Sequence, residues 1–344
     1  MIINDVGNDL NAIAVAMGFD RPVVELLQGD ASSRRYFRVV DAQNQKVIIC
    51  HSPDPRVHDN FKVVRKYFES SGVSVPKVYN IEHDEHFLVQ EDFGNSLLLQ
   101  RLASQYWLDH KKIEQVYRMA IESIVKIHDS GVTIPNSIKN LEFNEEKLLQ
   151  EWEVTKEYFL YKYLCRSGTE NSREEDMESE ISALDNRMRK ICEDLSRPKK
   201  VVVHRDYHSK NIMLMGSENA ELGIIDFQDA RMGIGQYDLV SLLEDCYFQI
   251  PKEIKLSLKN YYWEICDSIK ETFPNKKDYL KKYNQMAIQR ILKALGSFAM
   301  INFEKSNPLY LKYVGIGLEH LMSICQEDEF VDVKKALLGL YYGN

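Results

Sequence analysis

Two histidines, an aspartate and an asparagine crowd into "VVVHRDYHSKNIMLM", residues 201–215, directly behind an apolar run. His204, Asp206 and Asn211 form H-x-D-x4-N, and Asp226 heads "DFQD" after a second apolar stretch, "AELGIIDFQDA". Three oxygen-bearing side chains at strand ends are the inventory that phosphoryl transfer from a nucleotide requires. One carboxylate holds an attacking hydroxyl and accepts its proton, and hard oxygen ligands hold Mg²⁺ against the phosphates. In this reading Asp206 is the base, Asn211 lends a neutral amide oxygen to the metal, and the Asp226 carboxylate bridges it. Zinc would call for His or Cys at these positions. His204 reads as scaffold, packed into the core and tying the turn through its ring nitrogens. Asp206 alone could be a turn cap; its company is what argues for chemistry.

Such a loop has to be carried by strands. "KKVVVHRDYHSKNIMLM" and "AELGIIDFQDA" read as two short apolar strands with "GSEN" as a hairpin turn. Upstream, residues 5–18 read as a short amphipathic helix, and "RPVVELLQG", "RRYFRVVDA" and "QKVIICHSP" as strands separated by "GDASS" and "DAQNQ". In "HDNFKVVRKYFESSG" the residues Phe61, Val64, Tyr67 and Phe68 share one helical face, with Gly72 past the end. "PKVYNIEHDEHFLVQEDFG" reads as two more strands. The expectation is a five-stranded antiparallel sheet with one inserted helix over residues 1–93. From Ser96 the pattern turns helical, with apolar residues at Ile113, Val116, Met119, Ile121, Ile124 and Ile127, so residues 94–344 are expected to form a larger helical lobe. "SGTENSREEDMESE" is expected to be a solvated loop leading into a helix, and the aromatic residues of "EWEVTKEYFLYKYL" to pack in the core. The fold class is α+β.

The chain has 344 residues, 44% of them hydrophobic, which is enough for a sizeable core in two lobes. A formal charge of −8 without a basic block argues against nucleic acid as a partner. No basic residue precedes Arg21, and no apolar run approaches the roughly 18 to 20 residues that cross a bilayer, so the expected location is the cytoplasm, away from membranes. The six cysteines are scattered, without metal-ligand or CxxC spacing, and read as buried free thiols.

H-x-D-x4-N followed by I-I-D-F resembles the catalytic and metal-binding loops of protein-kinase-like enzymes, in particular the aminoglycoside phosphotransferase and choline kinase branch. The resemblance implies a bilobal protein-kinase-like fold with ATP and Mg²⁺ between the lobes. It implies that His208, two positions after Asp206 where protein kinases usually carry lysine, stands near the phosphates. "GDASSRRYFRV" would cover them, with Ser32 and Ser33 as donors and Arg34 or Arg35 as charge. The strand-three lysine is the departure: "KVIICHSP" offers Lys46 only at its start, so Lys46 reaches in, or Arg34 or Arg35 takes its place, or nucleotide binding is impaired. In "FLVQEDFG", backbone groups near Gln90 and Glu91 would meet the adenine edge.

A finer resemblance is to the bacterial anomeric sugar kinases that phosphorylate N-acetylmuramate and N-acetylglucosamine at C1. It is carried by "DASSRRYFR", "GVSVPKVYNIEHDEHFLVQEDFG", "GIIDFQDARMGIGQYDLVSLLED" and "MAIQRILKALGSFAMIN". It implies a sugar and ATP as substrates of a monomer or weak dimer. Arg231, Arg290 and Lys293 are candidates to meet the sugar's polar groups, with Glu151 and Glu157 open to the same role, and Asp238 is expected to anchor the catalytic loop. Where relatives tend to read Glu-Trp, this chain has Glu157 and Tyr158. The rival readings are a kinase for another small alcohol, such as an aminoglycoside, choline or a related amine, and a nucleotide-binding regulator that lost turnover.

Overall fold

The computed structural model describes residues 6–27, 33–81, 83–104, 109–165, 171–216, 221–326 and 328–342. Helix α1 (Gly7–Ala16) leads into β1 (Val23–Leu27), β2 (Arg35–Val40) and β3 (Lys46–His51), then α2 (Arg56–Ser70) and β4 (Phe87–Glu91). The strands form one antiparallel sheet in the order β1-β2-β3-β4. β3 is apolar over Val47–Cys50 because both of its faces are covered. Val47 and Ile49 join Phe37, Val89 and the α1 residues Leu10 and Ile13 in one cluster, while Cys50 packs with Leu88 and the α2 residues Phe61, Val64 and Phe68 in another. Side chains alternate along a strand, so the two clusters lie on opposite faces.

The expected fifth strand shrinks to one bridge. Val78 meets Gln90, with the Tyr79 N–H donating to the Val89 carbonyl (2.9 Å) and the Glu91 N–H to the Lys77 carbonyl (2.8 Å). The ladder stops there because the Lys77 N–H donates to the Glu91 carboxylate at 3.2 Å and not to its carbonyl.

The chain then runs through α3 (Leu98–Leu102), α4 (His110–His128), α5 (Asn136–Lys139), α6 (Glu145–Thr155), a π-helical run at Lys156–Leu164 and α7 (Asn171–Ser196). Ile113, Val116, Ile121, Ile124 and Ile127 of α4 are buried as their spacing requires. From Asn171 the acidic stretch expected as loop is already helix. Its Glu-rich composition can sustain a helix.

The expected hairpin divides into two strand pairs. β6 (Ile212–Met215) and β7 (Glu221–Ile224) do form an antiparallel pair, but β5 (Val201–Val203) pairs with β8 (Arg231–Gly233) instead. The eight residues of the catalytic loop separate β5 from β6, and Arg205, at φ +84°, turns the chain sharply between them. The helices α8 (Gln236–Leu243), α9 (Lys252–Ile265), α10 (Asp267–Thr272) and α11 (Lys276–Lys305) follow, then a 3₁₀ turn (Pro308–Tyr313), α12 (Val314–Ile324) and α13 (Val331–Tyr342). At 30 residues α11 is about 45 Å long and packs against α6, α8 and α12. Among the described residues no helix is long and apolar enough to cross a membrane.

Candidate active site

The loop between β5 and β6 is held from beneath by two buried aspartates. Asp238, at the start of α8, accepts the His204 N–H at 2.7 Å and the Arg205 N–H at 3.0 Å, and His128 Nε2 lies 3.4 Å from the same carboxylate. These bonds hold Arg205 in its left-handed conformation, which costs a non-glycine residue on the order of 1–3 kcal/mol. Asp245 accepts both the Ser209 N–H (3.0 Å) and its hydroxyl (2.5 Å). The sequence reading did not single out Asp245; its only signal was the E-D pair closing "LVSLLED". His204 contacts the Ile225 carbonyl through Nε2 at 3.0 Å and packs against Phe68 and Tyr207. Phe227, behind Asp226, stacks on Phe61 at 4.7 Å, so α2 is wedged against both loops.

On this frame Asp206, Asn211 and Asp226 converge. Asn211 Nδ2 donates to the Asp206 carbonyl at 2.9 Å and lies 3.4 Å from Asp226 Oδ2. That orientation leaves the amide oxygen for another partner. Asp226, also left-handed at φ +63°, receives the Gln228 amide and the Arg34 guanidinium, both at 3.0 Å from Oδ1. The Asp226 carboxylate and the amide oxygen of the adjacent Asn211 are hard donors that would suit a divalent cation.

The nucleotide side departs from expectation in several places. Lys46 sits exposed at the start of β3 and does not reach the site. Arg34 is the cation brought to Asp226. Arg35 instead contacts His51 at 3.3 Å, and Ser33 is exposed, while Ser32 lies outside the described residues. Cys50, opposite Tyr36 in the ladder, is buried; burial pushes its thiol up to about 11, against the opposing pull of Arg34. The Glu91 amide is spent on Lys77, and Gln90 is buried between β3 and the Val78 bridge, so neither presents the free backbone edge expected for adenine. Arg38 was overlooked. Buried on β2, it makes a two-pronged ion pair with Asp92 (2.6 and 2.9 Å) and donates to Asn95 and to the Gly94 carbonyl, clamping the segment that follows β4. A charged residue among the buried positions of a strand was the available clue.

On the acceptor side, α11 delivers two cations to the base. Arg290 Nη2 lies 3.2 Å and Lys293 Nζ 3.6 Å from Asp206 Oδ1. Burial by itself would raise the Asp206 carboxyl, but Lys293, Arg290 and Arg205 outweigh it and hold the group well below the usual carboxylate range. Asp206 still keeps 28% of its side-chain surface open, toward a cavity of 220 Å³ shared with His208, Lys293, Tyr247, Phe298 and Tyr310. Burial, opposed by Asp206 and reinforced by Arg290 and Lys210, lowers the His208 imidazole to about 3, leaving it neutral near pH 7. Its ring meets Tyr247 edge-on at 5.2 Å.

The Gln289-to-Phe298 pattern now has a geometry. Gln289 donates to buried Glu151 at 3.2 Å, Arg290 and Lys293 face Asp206, Gly296 lets α6 approach closely at Thr155, and Phe298 lines the cavity. Arg231 is buried on β8, where Nε donates to the Asp229 carbonyl at 3.2 Å and the guanidinium lies over Phe143, outside the cavity lining. Glu157 is not part of the site. It is exposed on the π-helical run and paired with Lys162 at 2.8 Å.

Residues 23–263 match the family model described as phosphotransferase enzyme family. A protein of Neisseria meningitidis serogroup B named N-acetylmuramate/N-acetylglucosamine kinase is 30% identical over 301 residues, 86% of this chain and 83% of its own. A protein of the same name from Pseudomonas aeruginosa is 27% identical, covering 97% of this chain and 94% of its own. Among solved structures, an ADP-bound aminoglycoside phosphotransferase superposes with a TM-score of 0.61 at 13% identity, over 92% of this chain and 98% of that one. Choline kinase from Cryptosporidium parvum Iowa II gives 0.57 at 9% identity, over 95% and 97%. At such low identity these two structures establish the fold and nothing further.

Proposed function

The chain belongs to the phosphotransferase enzyme family, and from that premise we propose that it transfers the terminal phosphoryl group of ATP to the anomeric hydroxyl of N-acetylmuramate or N-acetylglucosamine. The observation that carries this reading is the Arg290 and Lys293 pair on Asp206, at the mouth of a 220 Å³ cavity. Arg290 and Lys293 offset the negative charge of the base on its acceptor side, which suits a neutral or anionic sugar better than a cationic aminoglycoside or choline. The cavity is below the roughly 300–1,000 Å³ of drug-sized ligand sites and suits a single sugar ring. A carboxylate so strongly stabilised is a weak base, and it is matched to an acceptor more acidic than an ordinary alcohol, which the anomeric hydroxyl is. Most of the rate then comes from orientation and from charge placed around the transferred group.

Asp226 and Asn211 would hold Mg²⁺, which when bound neutralises charge developing on the phosphate oxygens. Arg34 would take the place of the strand-three lysine, and the neutral His208 would donate or accept a hydrogen bond beside the base without adding charge. Asp206 orients the sugar hydroxyl and takes its proton, while Asp238 and His204 hold the loop. The enzyme is taken to act in the cytoplasm as a monomer or weak dimer.

The exposed position of Lys46 favours one other reading, a nucleotide-binding regulator without turnover. ADP release measured over a panel of N-acetyl sugars, aminoglycosides and amino alcohols separates the two. We expect turnover confined to the N-acetyl sugars and a loss of about 10²- to 10⁴-fold in Asp206→Asn. Turnover of cationic acceptors alone, or an Asp206→Asn variant as fast as wild type, overturns the proposal.

A further inference from the structure

One face of α11 runs along the cavity beside Asp206, and its polarity changes on the way. Arg290, Lys293, Ala294, Ser297, Phe298 and Ile301 all line the cavity, at the spacing of a single helical face. The first two stand on Asp206. One turn further on, the charge is gone. The Ser297 hydroxyl donates to the Lys293 carbonyl at 3.0 Å, so its donor is taken up within the helix. Phe298 stacks on Tyr310 at 5.7 Å, and both rings line the cavity, which fixes an aromatic wall at this end. Ile301 continues that wall, and Ala294 stands between it and the cations with only a methyl group projecting; both are half-buried.

An apolar recess beside a charged reaction centre favours an acceptor whose apolar tip lies close to its reacting hydroxyl. A methyl group gains by leaving water for such a recess, whereas a sugar hydroxyl placed there loses hydrogen bonds that it does not recover. In a 2-acetamido sugar the acetyl methyl lies about five bonds from the anomeric oxygen, the reach of one helical turn (~5.4 Å). One turn is also the step on α11 from Lys293, at the base, to Ser297 and Phe298, at the apolar wall. We infer that Ala294, Phe298 and Ile301 form the subsite that receives the alkyl end of the 2-acylamino group, so that the enzyme selects its acceptor by the length of the N-acyl chain. This inference rests on the sugar-kinase reading above.

The test is kcat/KM across N-formyl-, N-acetyl-, N-propionyl- and N-butyrylglucosamine, neutral sugars that differ only in acyl length. In wild type the N-acetyl sugar should exceed the N-formyl sugar about 10-fold or more, the worth of one carbon in an apolar pocket. Ala294→Leu keeps a strong helix former and fills the recess, so the ratio of N-acetyl to N-formyl should fall about 10- to 100-fold. Ile301→Ala enlarges the recess and should move the optimum to the N-propionyl or N-butyryl sugar. Variants that lower all four sugars together, as a purely structural change would, overturn the inference. The wild-type series needs no variant to fold, and a profile flat across it also overturns the inference. If wild type phosphorylates N-acetylglucosamine with a flat profile, the inference alone falls; if it phosphorylates no N-acyl sugar, the proposed function falls with it.

Discussion

Gly296 offers a test of how packing remote from the reacting atoms positions the base. A Cβ placed there would lie 2.7 Å from Thr155 Cα and 2.6 Å from Thr155 Oγ1, in the seam where α11 crosses α6. Turning the threonine side chain away would relieve only the oxygen contact, and it would break the bonds Oγ1 donates to the Glu151 carbonyl (3.0 Å) and the Leu292 carbonyl (3.1 Å). The backbone contact remains, so the helices must part by about 0.7 Å to recover ordinary carbon–carbon separation. Overpacking of this kind costs about 1–3 kcal/mol. Replacing glycine by alanine inside a helix ordinarily gains about 1 kcal/mol, so the sign of the net effect is diagnostic. Gly296→Ala should lose up to about 2 kcal/mol in urea unfolding instead of gaining stability. Because α11 also carries Arg290 and Lys293, the displacement should reach Asp206 and lower kcat/KM about 10- to 100-fold, as misplacement by close to an ångström does. Gly315→Ala on α12, where a Cβ meets nothing within 4 Å, is the control and should be neutral or stabilising. A Gly296→Ala enzyme as stable and as fast as wild type refutes the reasoning.

Two further outcomes follow from the site. Arg34→Met should raise KM for ATP about tenfold or more, the worth of a charge-assisted bond, whereas Lys46→Met should leave it within about twofold; the reverse order in initial-rate measurements would show that Lys46 reaches the phosphates after all. Burial would lower the His128 imidazole, but its hydrogen bond to Asp238 and the neighbouring Cys266 outweigh this and raise it to about 9. A folded-state value above the unfolded one means that its stabilisation is complete below about pH 6.5 and is lost as pH rises through about 9. Urea midpoints across that window should decline in wild type, and a His128→Gln variant with the same decline would show that another group is responsible.

The parts of the site that were readable in sequence are those whose partners lie close together along the chain. Asp206 and Asn211 share one loop, and Asp226 follows the adjoining hairpin, so the spacing alone predicts that they converge. Arg290 and Lys293 could be picked out as cations on a late helix, yet their contact with Asp206 spans more than 80 residues of chain and depends on how α11 crosses the loop. The strand-three departure had three possible resolutions, and the ion pair of Arg34 with Asp226 at 3.0 Å, which favours one of them, could not be read from spacing. Glu157 was a candidate only through the family resemblance, and its exposed pairing with Lys162 on the π-helical run could not be read from the sequence. The fifth strand ends at Lys77, whose N–H turns to the Glu91 carboxylate, a choice that hydrophobic alternation cannot reveal. Arg38 was overlooked because a charge inside a strand is ordinarily assigned to the solvent face, and its partners Asp92 and Asn95 lie beyond three further elements.

Phosphorus NMR of the product made from N-acetylglucosamine and ATP tests the central claim most directly. A phosphate on the anomeric oxygen couples to the single C1 proton, appears as a doublet and is released by mild acid. The account predicts that signal from wild type and its absence from Asp206→Asn. An acid-stable phosphate on another hydroxyl, or ATP left intact beside the sugar, would contradict it.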